Sequence, residues 1–184
     1  MYAFTRKLKS AMLAGLLALL MLFLTAACED DDYWINPNDD DKEIPVKAPY
    51  FKLATAEGDS ISLGQMENKV VVLFFFGHAC APCRTAAVNI EAKLHKPRES
   101  REDYVVLGIE ASNGNRAAIN SFRSLTGATF PLLMNGAFAA NAYETTIDRL
   151  IIINRSGYIH HKSNVAAGCD LDTVAEKVAI LLEN

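Results

Sequence analysis

Two cysteines separated by two residues carry the clearest chemistry in this chain. They lie in the run Phe74-Phe75-Phe76-Gly77-His78-Ala79-Cys80-Ala81-Pro82-Cys83-Arg84. The spacing can close a disulfide, and a thiolate beside a second thiol is the minimal machinery of dithiol–disulfide exchange. The apolar run from Val70 to Phe76 reads as a strand covered on both faces, and the Ala-rich stretch after the cysteines reads as a helix. The pair therefore falls on the first turn of that helix. Unpaired N–H groups and the helix dipole there favour a thiolate. Zinc normally takes four ligands, and no second cysteine pair is present, so neither a metal nor another cofactor is expected.

The elements that must hold this turn can be traced along the chain. Ala48 to Leu53 and Gly58 to Leu63 suggest two short strands about a turn. Pro82 opens the helix after the first cysteine, and Ala87, Ile90 and Leu94 form its buried stripe. Tyr104 to Ile109 is a further strand. A helix follows with Ile119, Phe122 and Leu125 turned inward and Gly127 at its C-terminal end. Pro131 to Leu133 is extended and Gly136 to Tyr143 helical. Leu150 to Ile153 and Tyr158 to His161 make a hairpin about Asn154-Arg155-Ser156-Gly157. Asp170 is expected to cap a last helix with Leu171, Val174, Val178 and Leu181 on one face. Strands alternating with helices predict an α/β fold with a central mixed sheet, helices on both faces and an N-terminal β-hairpin.

The chain divides into three segments. In residues 1–27, Arg6, Lys7 and Lys9 precede an apolar run from Ala11 to Leu24 and then Thr25-Ala26-Ala27-Cys28, the layout of a secretory signal with its cleavage point. The run falls short of the roughly 20 residues a spanning helix needs. A cysteine directly after the small residues resembles a bacterial lipoprotein signal, which makes Cys28 the lipidated residue. Loss of Arg6, Lys7 and Lys9 takes the net charge from −4 to −7. Residues 28–47 concentrate acidic side chains without apolar periodicity and are expected to be a solvated tether. Residues 48–184 form the globular domain. No basic patch suggests nucleic acid.

The ordered landmarks from Ala48 onward resemble the thioredoxin superfamily, and within it the TlpA/ResA-like and AhpC/TSA redoxin branch. They are Ala48 to Leu53, Gly58 to Leu63, Lys69 to Leu73 leading to Cys-Ala-Pro-Cys, Phe130 to Leu133, Ile151 to Gly157, and Gly168 before the final helix. The resemblance implies a thioredoxin-like fold and dithiol chemistry in the cell envelope, often on a membrane-tethered protein. It makes Cys80 and Cys83 the redox-active disulfide. Cys80, at the helix N-terminus, attacks the partner disulfide, and Cys83, one turn in, resolves the mixed disulfide. The implied partners are disulfide-bearing envelope proteins, an upstream membrane electron donor, and the membrane through a lipid anchor.

Several family positions carry other residues. The usual Trp before the first cysteine is Ala79, the acid three after the second is Ala86, and the buried Asp or Asn six before the first is Phe74. The cis-proline that faces the pair falls on Asp148, or on Arg149 with a one-residue slip. A carboxylate at 148 would disfavour the Cys80 thiolate. His78 is a candidate modulator, since a nearby imidazolium lowers a thiol pKa. Cys169, after Gly168, is a further thiol able to exchange with Cys80 or to be oxidised itself. His160 and His161 alternate faces on a strand and receive no role. Three functions of different class follow: an envelope thiol–disulfide oxidoreductase that reduces exported proteins, a peroxiredoxin-like peroxide reductase, or a binding lipoprotein on a redoxin scaffold that has lost catalysis.

Overall fold

The computed structural model describes residues 45–183. The signal segment, Cys28 and most of the acidic tether lie outside the described residues. Seven consecutive apolar residues build the central strand β3 (Val70–Phe76), and none of them is more than 1% exposed. Their side chains alternate between two cores. Val70, Val72, Phe74 and Phe76 enter one, while Val71, Leu73 and Phe75 enter the other.

β3 (Val70–Phe76) pairs on one side with the parallel β4 (Tyr104–Glu110), which is followed by β5 (Leu132–Leu133), parallel to β4, and on the other with the antiparallel β6 (Arg149–Ile153), which pairs antiparallel in turn with β7 (Ile159–Lys162). The result is a mixed five-stranded sheet in the order β5-β4-β3-β6-β7. A separate hairpin of β1 (Lys52–Ala54) and β2 (Ser60–Ser62) precedes it. One face of the sheet is covered by α1 (Ala81–Ile90), α2 (Arg116–Thr126) and α4 (Ala167–Glu183) through Ala87, Ile90, Ile119, Phe122, Leu171 and Val174. The other receives the short α3 (Ala137–Ala142) and the hairpin, through Ala139, Ala140, Phe51 and Leu53. This is the α/β architecture the element order predicts and the thioredoxin-like fold the resemblance implies.

Two element-level expectations are corrected. The inward positions of α2 are Ile119, Phe122 and Thr126, whereas Leu125 is 64% exposed. The helical repeat carries the buried stripe from 122 to 126, and Thr126 satisfies its hydroxyl by donating to the Phe122 carbonyl at 2.8 Å. Helix α4 begins at Ala167, so Asp170 lies inside its first turn and does not cap it. The Asp170 carboxylate instead meets His161 Nε2 at 2.7 Å, joining β7 to α4. His161 thus has a structural partner that its place in the sequence does not reveal.

Candidate active site

β3 is buried along its whole length, so the chain leaves the sheet only at its C-terminal end. There it makes a tight turn: Cys80 N–H donates to the Gly77 carbonyl at 3.0 Å, with His78 and Ala79 at the corner. Cys80 is extended, with φ −76° and ψ 114°, and serves as the N-cap of α1. Its sulfur accepts the Cys83 N–H at 3.2 Å, doing for the helix what a Ser or Asp oxygen usually does. Pro82 sits in the first turn, where no intrahelical N–H is needed. Cys80 and Cys83 are joined as a disulfide with Cα atoms 5.3 Å apart. Cys80 is partly exposed and Cys83 is 0% exposed, so a partner can reach only the first sulfur. That asymmetry, with an N–H aimed at the outer sulfur, suits nucleophilic attack by Cys80 and resolution by Cys83.

The turn is tied to the neighbouring strand by Glu110, which the sequence does not single out. Glu110 ends β4 opposite Phe76, and its side chain is 0% exposed. The carboxylate accepts His78 Nδ1 at 3.0 Å, the Ser112 N–H at 3.1 Å and the Gly114 N–H at 2.7 Å. It also accepts the Ser112 hydroxyl and, at 3.4 Å, the His78 N–H. Burial alone would raise this carboxyl's pKa. The hydrogen bonds from His78, Ser112 and Gly114 outweigh that and hold it below the ordinary glutamate value. Gly114 is required here: a Cβ on it would lie 2.6 Å from His78 Nδ1 and 3.1 Å from the Glu110 carboxyl carbon. The only signal in sequence is an acid closing an apolar strand just before Ser112-Asn113-Gly114.

Asp148 stands at the same end of the sheet. Strand pairing ends with Arg149 opposite Phe75, and Asp148 N–H donates to the Phe75 carbonyl at 2.7 Å. Among the described residues there is no cis peptide bond, and Asp148 has φ +60°. Its carbonyl accepts the Ala167 N–H at 3.0 Å and Arg149 Nη1 at 2.8 Å, while its Oδ1 is buried without a hydrogen-bond partner. The segment before β6 therefore uses its backbone within the protein. Arg149 turns to the Asp148 carbonyl. The position where the resemblance implies a buried Asp or Asn holds Phe74, 0% exposed, and the one where it implies an acidic residue holds Ala86, 2% exposed. Ala79 is exposed on the turn itself. Cys169 is a free, exposed thiol on the first turn of α4. Among the described residues no three His, Cys, Asp or Glu side chains are grouped to hold a metal ion.

Comparison with known proteins agrees with this architecture. The chain is 28% identical over 114 residues to the thioredoxin-like protein YneN of Bacillus subtilis, a match over 57% of this chain and 66% of that one. It is 28% identical over 115 residues to the thiol-disulfide oxidoreductase ResA of Halalkalibacterium halodurans, over 61% of this chain and 64% of that one. The chain thus spans slightly less than two thirds of the length of these curated relatives. Among solved structures, the thioredoxin domain of a thiol-disulfide oxidoreductase from Bacteroides vulgatus superposes with a TM-score of 0.62 at 15% identity, covering 73% of this chain and 96% of that domain. At that identity the likeness is one of fold. The family model for AhpC/TSA matches residues 44–166, from before the hairpin to the start of the last helix, and takes in the cysteine turn, Glu110 and Asp148. By that match over most of its length, the chain, with its thioredoxin-like fold, belongs to the AhpC/TSA family.

Proposed function

We propose that the protein is a thiol–disulfide oxidoreductase of the cell envelope that reduces disulfides in exported proteins, anchored by a lipid on Cys28. The observation that carries the redox assignment is the asymmetry of the pair: Cys80 partly exposed at the N-cap of α1, Cys83 wholly buried behind it. In the reduced state the Cys80 thiolate attacks a client disulfide, forming a mixed disulfide and releasing one client thiolate. The Cys83 sulfur then displaces the second client sulfur from Cys80. The client gains two electrons, and the protein leaves as the Cys80–Cys83 disulfide. A membrane-borne dithiol donor returns those electrons. The names of the relatives as a thioredoxin-like protein and a thiol-disulfide oxidoreductase support the same chemistry.

The surroundings of the outer sulfur support this direction of electron flow. Oxidants of this type are poised by strong stabilisation of their reduced form, through its thiolate. Here two carboxyl side chains, Glu110 and Asp148, lie at the same end of the sheet as the pair, beside the cation Arg84 that follows Cys83. The potential of the pair is therefore expected nearer the roughly −270 mV of a reductant than the roughly −120 mV of an oxidant.

Reduction of insulin by the purified protein, beside Cys80→Ser and Cys83→Ser, tests the assignment. Turnover lost in both variants, with Cys83→Ser trapping a mixed disulfide, is the expected result. Peroxide consumption without disulfide exchange would instead favour the peroxidase alternative, and an inert wild type would favour a binding role. Substituting Cys28 by Ser and following the protein through membrane fractionation tests the anchor.

A further inference from the structure

We propose that Glu110 is the positioning residue of the dithiol site, the group that keeps the Cys80 sulfur within reach of Cys83 once their disulfide is open. The proposal rests on Cys80 and Cys83 being an exchange pair, and it names what fixes their geometry in the reduced state.

The last residues paired between β3 and β4 are Phe76 and Glu110, and the Ala111 N–H closes the ladder on the Phe76 carbonyl at 2.9 Å. Beyond that point the two strands run into loops, residues 77–80 and 111–115, that no backbone hydrogen bond joins among the described residues. The Glu110 side chain joins them instead. It is 0% exposed, and the N–H groups of His78, Ser112 and Gly114 donate to it at 3.4, 3.1 and 2.7 Å. None of the three donates to a backbone carbonyl. His78 Nδ1, at 3.0 Å, and the Ser112 hydroxyl complete the cluster.

This cluster grips the redox turn at two points. His78 is a corner of the turn that the Cys80 N–H closes on the Gly77 carbonyl at 3.0 Å. A Cβ placed on Gly77 would lie 3.1 Å from Ser112 Oγ and 3.6 Å from the Cys80 Cβ, so the hydroxyl held by Glu110 rests against the turn itself. In the oxidised protein the disulfide ties Cys80 to Cys83. Once it opens, the outer sulfur is kept near the inner one by the Cys83 N–H, 3.2 Å from it, and by the anchored turn. Held there, the two sulfurs have a high effective concentration toward each other, which speeds closure and favours the disulfide. In the resolving step the Cys83 thiol gives its proton to water and its sulfur bonds to Cys80. The Cys80–client bond breaks, and the client thiolate leaves and takes a proton from water. Two electrons pass from the dithiol to the client.

Reaction of the reduced protein with oxidised glutathione, with mixed and internal disulfides counted by mass spectrometry, separates attack by Cys80 from closure by Cys83. Glu110→Gln offers one acceptor oxygen where the carboxylate offers two, and Glu110→Ala offers none. Closure should slow about tenfold in the first and about a hundredfold in the second, the cost of a misplacement near 1 Å. Attack by the exposed Cys80 sulfur should not slow. Equilibration with glutathione should show a less reducing pair, by about 30 mV for each tenfold fall in the closure constant. Val71→Ala, buried at the far end of β3, controls for lost stability and should close as fast as wild type. Wild-type closure in Glu110→Gln would overturn the proposal even if Glu110→Ala does not fold. Equal slowing of both steps, or closure as slow in Val71→Ala, would also overturn it. A wild type that reduces no protein disulfide would overturn the redox assignment itself. The glutathione equilibrium needs no protein client and would still decide what Glu110 does.

Discussion

At the scale of single residues the site joins one group that the sequence announces to one that it conceals. The Cys-Ala-Pro-Cys turn is legible because strand, turn and helix follow one another within a dozen residues. Glu110 is not, because its donors come from two loops, at 78 and at 112–114, that only parallel pairing of β3 with β4 brings together. The energetic expectation is specific. Glu110 is fully buried and its pKa is lowered in the folded protein, so it stabilises the fold above the ordinary glutamate range. That contribution is lost as pH falls through the lowered folded value. Glu110→Gln should therefore be less stable than wild type by about 2 kcal/mol at pH 7, and urea unfolding should show the gap closing toward pH 3. A gap that does not change with pH would mean that the carboxylate charge is not what the loops bind. Gly114→Ala tests the same contact sterically. Its methyl would sit 2.6 Å from His78 Nδ1, and overpacking of this kind costs about 1–3 kcal/mol, readable in the same titration.

At the scale of elements, periodicity located the strands and helices better than it located their inner faces or first residues. The uninterrupted apolar run of β3 and the spacing of Ala87, Ile90 and Leu94 after it map directly onto buried positions. Helix α2 shows the failure. Leu125 is more hydrophobic than Thr126, yet the helical repeat buries Thr126, whose hydroxyl is satisfied by the Phe122 carbonyl. The start of α4 at Ala167 departs from the sequence pattern for a related reason. An Asp before an apolar stripe has the pattern of a cap, but here its carboxylate is held by His161 from another strand. The cis-proline position could be counted back from β6, while the φ of +60° at Asp148 belongs to the folded backbone alone. Phe122 ties α2 to the end of the redox strand, with ring centroids 4.3 Å from Phe76. Phe122→Ala should cost about 3–5 kcal/mol, whereas Leu125→Ser on the exposed face should stay within about 0.5 kcal/mol. Equal losses in chemical denaturation would show that the wrong face has been assigned to the core.

At the scale of the whole molecule, redox state and stability are one equilibrium seen from two sides. The folded domain, the unfolded chain, and the oxidised and reduced forms of each close a thermodynamic cycle. Any bias the fold exerts on the Cys80–Cys83 potential must appear as a stability difference between the two folded forms. An oxidant is one whose fold stabilises the reduced pair. In this molecule the outer sulfur receives one N–H, from Cys83, and shares its end of the sheet with Glu110 and Asp148, while Asp148 Oδ1 is buried without a partner. A full thiolate at Cys80 would have to coexist with those carboxyl groups, so the fold should favour the disulfide. The oxidised protein should then melt above the reduced one. Each 30 mV by which the folded pair is more reducing than the unfolded one equals about 1.4 kcal/mol, and each kcal/mol moves the midpoint by about 2–4 °C for a domain somewhat larger than this one. Thermal melts with and without a phosphine reductant measure the difference, with Cys80→Ser as the control that must show none. Asp148→Asn should shrink the gap and raise the potential together, because both report the same carboxyl. A reduced form that melts higher would identify the protein as an oxidant and reverse the direction in which electrons cross the Cys80 sulfur.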